Sequence, residues 1–221
     1  IMSEEFSLYD CADDTAALIE VLGLEDVIVA GYSMGSIIAQ RIWRQHPHLV
    51  SGLVLGATTD RFRNSPSELL FFQSMALSMG ALRGLSRSRT AMAAARGAAR
   101  MLDIDNPEDL HDWALAEFRT TSPWAVAQAV AALGRHHSRP WLRRIDVPTA
   151  VVVMCRDRVI PAERQRALAL RIPGATTHEV DTGHAGCVLS AEAFVPVLVE
   201  ACASVAARLR DRKRLERRLE L

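Results

Sequence analysis

The chain has 221 residues, of which 49% are hydrophobic, and its 26 basic and 26 acidic side chains give a formal net charge of zero. This length and composition suffice for one domain with a substantial buried core, and a neutral chain gives no electrostatic argument for nucleic-acid binding. The sequence contains no run of 18 apolar residues, so we expect no membrane-spanning segment.

The cysteines and the first residues indicate the cellular compartment in which the protein is expected. The four cysteines are widely scattered, and none forms a C-x-x-C pair: Cys11, Cys155, Cys187 and Cys202. Such spacing favours reduced thiols, and the acidic first residues do not resemble a basic and apolar signal sequence. We therefore expect a cytoplasmic location, unless residues upstream of this sequence direct secretion.

A helix and a strand come first along the chain and lead into a glycine-flanked serine. The helix is predicted from about Tyr9 to Leu22 and ends at Gly23, and Val27–Ala30 is an apolar strand. The run Gly31-Tyr32-Ser33-Met34-Gly35 follows, and a helical pattern begins at Ser36. A G-x-S-x-G run between a strand and a helix is typical of a nucleophile elbow, a tight turn that presents a serine hydroxyl to substrate.

Within this turn, Ser33 is the candidate nucleophile and Met34 is the candidate oxyanion donor. Side chains on either side of the turn would clash, so we expect the glycines at Gly31 and Gly35 to be required. The backbone N–H of Met34 lies at the start of the following helix, where it can stabilise an oxyanion. A chance turn of glycine and serine is the alternative, and the flanking strand and helix argue against it.

The middle of the chain changes to a helical pattern after an apolar strand at Leu53–Leu55. Four segments carry apolar residues at helical spacing: 66–82, 87–102, 107–120 and 123–133. The first segment is rich in large apolar side chains: Leu69, Leu70, Phe71, Phe72, Met75, Leu77 and Met79. These side chains either pack the helices onto the rest of the protein or line a pocket for an apolar acyl group.

A serine nucleophile needs a base and an acid that orients the base, and candidates for both follow later strands. The apolar run Val147–Cys155 predicts a buried strand, and Asp157 lies in the loop after it. The alternating run Ala175–Val180 predicts a last strand, and His184 lies in the glycine-flanked loop after it. We therefore predict Asp157 as the acid and His184 as the base.

Other residues compete for these two roles. Asp157 could instead pair with Arg156 or Arg158 in a solvated loop. Asp60, which follows the preceding apolar strand, is a second candidate for the acid. Six further histidines compete with His184: His46, His48, His111, His136, His137 and His178. The close pairs among them lack a third ligand at metal-binding spacing, so we expect no metal site.

The end of the chain is rich in charge. Residues 208–221 carry seven basic and three acidic side chains. A basic segment can bind membrane lipid or nucleic acid, but the interspersed acidic residues and sparse leucines favour a solvated, fraying helix. We therefore expect a charged helical tail.

Several of these segments together resemble the α/β-hydrolase superfamily, among its lipase- and esterase-like members. The segments are Asp13–Leu18, Gly31–Gly35, Ile145–Thr149, Asp157–Pro161 and Gly183–His184. The order serine, acid, histidine along the chain is that of this family. The resemblance extends from about residue 9 to about residue 206. It implies an α/β fold with a mostly parallel sheet flanked by helices, a helical cap insertion and a triad of Ser33, Asp157 and His184.

The resemblance also implies a domain arrangement and a chemistry. Residues 1–60 and 141–207 would form the hydrolase core, 61–140 the cap and 208–221 the tail. The implied activity is hydrolysis of a small carboxylic ester or acyl substrate, apolar in character, through an acyl-enzyme and without metal or organic cofactor. Acyl transfer, thioester cleavage, C–C bond hydrolysis and cofactor-free haloperoxidation can use the same triad, so they stay open.

The sequence departs from the family pattern at two points. Ser36 stands where these proteins often have a further glycine, and a small residue there should still let the helix pack. Only 32 residues precede Ser33. These are too few for the strands, and for the His-Gly type loop with its second oxyanion donor, that normally come first. We therefore expect missing N-terminal strands, poor solubility or a homodimer, and weak catalysis. A non-catalytic binding protein is the alternative.

Overall fold

The structure is a computed structural model that describes residues 6–62 and 123–219. Strands alternate with helices along these parts of the chain. The elements are α1 (Leu8–Val21), β1 (Ile28–Tyr32), α2 (Met34–Gln45), β2 (Gly52–Gly56), α3 (Pro123–Arg135), β3 (Thr149–Met154), α4 (Ala162–Ala169), β4 (Thr176–Val180), α5 (Gly186–Leu189) and α6 (Ala191–Leu219). Short 3-10 turns cover Pro47–Leu49 and Leu142–Arg144. The helix and the four strands predicted at the corresponding positions are present, with ends shifted by one or two residues.

The four described strands form one parallel sheet in the order β1-β2-β3-β4. Tyr32 at the end of β1 is level with Gly56 at the end of β2, and Met154 at the end of β3 is level with Val180 at the end of β4. The loops after these strands therefore meet at one edge of the sheet, where parallel α/β folds bind their ligands. This architecture confirms the predicted α/β fold.

The burial of the two central strands explains why their sequences are apolar. Every residue of β2 and β3 is buried, because helices cover both faces of a parallel sheet. Alternate side chains of β3 enter two separate cores. Val151 and Val153 belong to one core, whereas Val152 and Met154 belong to the other.

Each core contains a different set of helices. The first contains side chains from α1, α2 and α4, among them Ala12, Ile42 and Leu168. The second contains Phe194 and Val205 of α6. Burying a large apolar side chain stabilises a fold by about 1.5–3 kcal/mol, so these two cores hold the sheet and its helices together.

Helix α6 continues without interruption into the charged end of the chain. Arg208 donates from Nη1 to the Gly174 carbonyl and from Nη2 to the Thr149 carbonyl, each at 2.8 Å. Arg212 Nη1 donates to the Asp146 carbonyl at 2.8 Å. The beginning of the charged segment is therefore attached to the main chain around the first residues of β3 and β4, and it is helical through Leu219.

Contacts divide the chain into two compact units, residues 8–60 with 138–221 and residues 1–7 with 61–137. In the second unit, the Phe6 N–H donates to Gln128 Oε1 at 3.3 Å. The fourth predicted cap helix is present as α3, whereas 66–82, 87–102 and 107–120 lie outside the described residues. The assignment of a cap therefore stays a prediction. Within the described ranges, no helix is long and apolar enough to cross a membrane.

Candidate active site

The glycine-flanked serine forms a sharp turn between β1 and α2. Ser33 has φ 51° and ψ −115°, a conformation that costs energy for any residue with a side chain. A Cβ atom on Gly31 would lie 2.3 Å from the Gly35 carbonyl oxygen, so only glycine fits there. A Cβ atom on Gly35 would meet none of the described residues within 4 Å outside the helix that contains it. The expected steric requirement is therefore confirmed for Gly31 and wrong for Gly35, because the crowding lies on one side of the turn.

Backbone and hydroxyl hydrogen bonds hold this strained turn against β2. The Ser33 N–H donates to the Gly56 carbonyl at 2.9 Å. The buried Ser36 hydroxyl lies 2.6 Å from the Gly31 carbonyl oxygen and 2.8 Å from that of Gly56. Ser36 thus does more than fit in place of the usual glycine, because it connects the start of α2 to the ends of β1 and β2.

Met34 is the first residue of α2 and directly follows Ser33. The first N–H groups of a helix have no carbonyl partner within the helix, and the helix dipole makes this end attractive to negative charge. Met34 therefore lies at the start of the helix beside Ser33, and its role as an oxyanion donor stays a prediction.

Ser33, His184 and Asp157 form one hydrogen-bonded chain. Ser33 Oγ lies 2.9 Å from His184 Nε2, and His184 Nδ1 lies 2.7 Å from Asp157 Oδ2. A carboxylate only accepts, so Nδ1 carries the proton and Nε2 is left to accept the serine proton. His184 is 8% exposed and Asp157 is 6% exposed. The three residues are far apart in sequence and meet because the loops after β1, β3 and β4 share one edge of the sheet.

Hydrogen bonds from its own loop and from α4 hold the Asp157 carboxylate. Asp157 Oδ1 accepts from the N–H groups of Val159 and Ile160, each at 2.8 Å. Its Oδ2 atom accepts from Gln165 Nε2 at 3.1 Å as well as from His184. The neighbouring Arg156 instead pairs with Asp181, with its Nε atom 3.1 Å from Oδ1.

The second acid candidate lies apart from the histidine. Asp60 is buried after β2, and its main-chain carbonyl accepts from the Ser138 N–H at 2.8 Å. Its Oδ2 atom lies 3.6 Å from Arg171 Nε. The partner of His184 Nδ1 is thus Asp157 and not Asp60.

The competing histidines make contacts elsewhere. His46 Nε2 lies 2.7 Å from Asp13 Oδ1, His48 packs beside His46, and His178 Nδ1 lies 3.5 Å from Glu200 Oε1. His136 and His137 belong to the other compact unit, and His111 lies outside the described residues. In the described parts of the chain, no group of three or more His, Cys, Asp or Glu residues could hold a metal ion.

Tyr32, which precedes the serine, also contacts the histidine loop. Its hydroxyl donates to the main-chain carbonyl of His184 at 2.6 Å, and its ring packs edge-on against Phe194 at 5.3 Å between centroids. Burial, together with the nearby Cys187 thiol, raises the pKa of Tyr32, so its hydroxyl stays protonated and can donate. Cys187 itself contacts this hydroxyl, and burial raises the pKa of its thiol.

Sequence reasoning missed two residues of this site, Tyr32 and Gln165. Tyr32 occupies a variable position of the motif, and Gln165 lies eight residues after Asp157 in a helix with little apolar pattern. Gln165 is a buried polar residue on a short helix that follows the loop of Asp157. Its role becomes apparent only once this helix is packed against β3.

Comparisons with known proteins place the chain in a family. A model of the alpha/beta hydrolase family matches residues 3–197. The chain is 30% identical over 186 residues to a poly(3-hydroxyalkanoate) depolymerase from Ectopseudomonas oleovorans, over 84% of this chain and 64% of the relative. It is 26% identical over 172 residues to a pimeloyl-[acyl-carrier protein] methyl ester esterase from Aromatoleum aromaticum, over 73% of this chain and 68% of that protein.

The fold matches solved structures as well. An esterase from Exiguobacterium antarcticum superposes with a TM-score of 0.75 at 22% identity, over 89% of this chain and 74% of the esterase. The chain spans 64% of the length of the depolymerase relative, so it corresponds to part of that protein. Since the family match covers residues 3–197, this chain belongs to the alpha/beta hydrolase family.

Proposed function

We propose that the protein is a serine hydrolase that cleaves carboxylic esters through an acyl-enzyme intermediate. The observation that carries this proposal is the unbroken hydrogen-bonded chain from Ser33 Oγ through His184 to Asp157 Oδ2, with distances of 2.9 and 2.7 Å. A serine hydroxyl is a weak nucleophile unless a base accepts its proton, and this arrangement supplies the base and the acid that orients it.

The first half of the reaction acylates the serine. His184 Nε2 takes the Ser33 proton as Oγ attacks the ester carbonyl carbon, and the carbonyl electron pair moves onto its oxygen. The Met34 N–H donates to this oxyanion, while Asp157 stabilises the imidazolium. When the carbonyl re-forms, the bond to the alcohol oxygen breaks, and His184 gives the alcohol its proton.

The second half restores the serine. His184 takes a proton from a water molecule as the water oxygen attacks the acyl carbon. The bond to Ser33 then breaks, Oγ regains a proton from His184, and the carboxylic acid leaves. Every proton passes through Nε2, and the reaction needs no oxidant, reductant, metal or organic cofactor.

The names of relatives support an ester as substrate. One relative is named for depolymerising poly(3-hydroxyalkanoate), a polyester, and another for cleaving a methyl ester. We therefore propose a small, apolar ester as the substrate.

The same triad can support other reactions, which differ in the group that leaves the substrate or in the molecule that attacks the acyl-enzyme. Acyl transfer, thioester cleavage, C–C bond hydrolysis and cofactor-free haloperoxidation are the alternative reactions. A non-catalytic binding protein is less well supported, because the strained serine and the histidine–acid pair would then have no use. A cytoplasmic location and a homodimer stay predictions.

Ester turnover by three forms of the chain tests this function. We expect the 221-residue chain to hydrolyse short aryl esters only weakly, in keeping with the weak catalysis expected from its sequence, and Ser33→Ala to abolish this turnover. Ser51→Ala, which replaces a serine before β2 at the other end of the sheet, is the matched control and should retain turnover. Unchanged esterase activity in purified Ser33→Ala would refute the mechanism.

A further inference from the structure

A fully buried glutamine lies behind the acid of the Ser33–His184–Asp157 chain. Gln165 on α4 has 0% exposure, and every polar atom of its side chain is used. Its Nε2 atom donates to Asp157 Oδ2 at 3.1 Å and to the Ile160 carbonyl at 2.7 Å. Its Oε1 atom accepts from the Met154 N–H at 3.0 Å.

These contacts place the amide at the junction of three parts of the site. Met154 ends β3, Asp157 and Ile160 belong to the loop after it, and Gln165 belongs to the following helix. A buried amide is unfavourable unless its donors and acceptor are all satisfied, so the side chain has one well-defined orientation. That orientation directs an N–H group at Oδ2, the same oxygen that accepts from His184 Nδ1.

We propose that Gln165 is a positioning residue that acts on His184 through the Asp157 carboxylate. The inference rests on the proposed serine hydrolase function. The amide does two things to Asp157. It fixes the plane of the carboxylate so that Oδ2 faces His184 Nδ1, and its N–H offsets part of the negative charge on Oδ2 that would otherwise act on the histidine ring.

The second effect gives a readout that packing alone would not move. Without the amide donor, more of the Asp157 charge acts on the ring, which favours the imidazolium. The ring should then lose its proton at a higher pH. The titratable groups near this part of the site include Tyr32 from β1, Cys187 from α5 and Arg158, which directly follows Asp157, while Arg156 and Asp181 pair with each other at the surface.

The experiment compares Gln165→Leu and Gln165→Met with Gln40→Leu. Gln40 is the matched control, because it is equally buried, lies on α2, and has no hydrogen-bond partner for its amide among the described residues. Leucine removes both donors and the acceptor, and methionine does so with an unbranched side chain of similar length. Thermal unfolding of each variant shows that it is folded before other measurements are compared.

The pH at which the His184 ring signals titrate by NMR is the first readout, and it needs no enzyme activity. We expect the midpoint to rise by about 0.5–1 pH unit in both Gln165 variants and to stay in place in Gln40→Leu. Ester turnover is the second readout. We expect kcat to fall by about 10- to 100-fold with KM unchanged, since a hydrogen bond to a charged group is lost.

A double variant tests whether the effect passes through Asp157. In an Asp157→Asn background, Gln165→Leu should lower kcat no further, because the group it acts on has been altered. An unchanged His184 midpoint in folded Gln165 variants overturns the proposal, as does an equal shift in Gln40→Leu. Failure of both Gln165 variants to fold assigns the residue to the core and also overturns it. If wild type lacks Ser33-dependent turnover, the serine hydrolase proposal fails, and the NMR titration still decides the role of Gln165.

Discussion

At the residue scale, His184 is held both by its ring and by its main chain. Asp157 binds Nδ1 at 2.7 Å, Ser33 Oγ lies 2.9 Å from Nε2, and the Tyr32 hydroxyl binds the main-chain carbonyl at 2.6 Å. In the proposed reaction, a base oriented in this way needs little rearrangement when it takes a proton, and such pre-organisation is a large part of catalysis.

The proposed role of Asp157 as the acid is tested by substituting Asp157 and, for comparison, the other acid candidate, Asp60. Asp157→Asn keeps the shape of the side chain but lets the histidine adopt the wrong tautomer. We expect turnover to fall by on the order of 10⁴, the effect of the same change in the well-studied serine proteases. Asp60→Asn should change turnover little. The opposite ranking in aryl ester assays would assign the acid to the loop after β2.

The tyrosine hydroxyl is tested with the chain's other tyrosine as control. Tyr32→Phe removes the donor to the His184 carbonyl and retains the ring against Phe194. We expect kcat to fall about 10-fold, which corresponds to about 1.4 kcal/mol, with little change in KM. Tyr9→Phe on α1 should have no effect on kcat. Equal kcat values for Tyr32→Phe and wild type would show that the main-chain contact does not matter.

Much of this site could be predicted from the sequence, and the reason is local. Ser33 and Asp157 each follow a recognisable apolar strand and His184 follows an alternating one, so their meeting at one sheet edge follows from parallel pairing. Tyr32 and Gln165 could not be predicted in this way. Their roles depend on which atoms they reach after packing, and neither has a distinguishing local pattern.

At the scale of the element, the elbow shows which part of a motif is required by geometry. Crowding at Gly31 comes from the backbone of Gly35 and Ser36, whereas a Cβ atom on Gly35 would contact no neighbouring element in the described part of the chain. The sequence pattern shows two equivalent glycines, and the packing makes them unequal. The hydroxyl of Ser36 then connects the turn to the carbonyls of Gly31 and Gly56.

Two glycine substitutions test this asymmetry. Gly31→Ala would bring a methyl group to 2.3 Å from a backbone oxygen. Such overpacking destabilises a fold by roughly 1–3 kcal/mol. The backbone shift that relieves the clash should also lower ester turnover. Gly35→Ala meets no atom and replaces glycine in a helix, so its stability should change by less than about 1 kcal/mol, in the favourable direction. Denaturant unfolding compares the two, and equal losses of stability would contradict the one-sided crowding.

The contact between α1 and the end of α2 gives a prediction for acid pH. Hydrogen bonds from His46 and Gln45 lower the pKa of the Asp13 carboxyl below its ordinary value of 3.8. A carboxyl with a lowered pKa in the folded state contributes stability above its unfolded pKa and loses this contribution as pH falls through the folded value.

Removal of this carboxyl should therefore matter at neutral pH and not in strong acid. Asp13→Asn should lower the Tm at neutral pH, and the difference from wild type should shrink as the pH falls below 3.8. Asp14→Asn, one residue along the same helix, is the control. A Tm difference for Asp13→Asn that is constant across this pH range would show that the ionised carboxyl contributes nothing.

At the scale of the whole molecule, the sheet in the described residues determines where chemistry can occur. All four strands end on the same side, and both central strands are buried on both faces. Their continuous apolar runs made them predictable from sequence. The sequence also predicts that the charged segment is helical. The contacts of Arg208 and Arg212 with distant carbonyls could not be predicted, because they depend on the tertiary fold.

The most direct test of the central claim is the site at which a fluorophosphonate probe labels the chain. The probe reacts with a serine that a neighbouring base has activated, so it reports the Ser33–His184–Asp157 arrangement without knowledge of the substrate. We predict one adduct per chain by intact mass spectrometry, located on Ser33 by peptide mapping. Labelling should be lost in Ser33→Ala and strongly slowed in His184→Ala. Labelling that persists in Ser33→Ala, or that maps to another residue, would contradict the account.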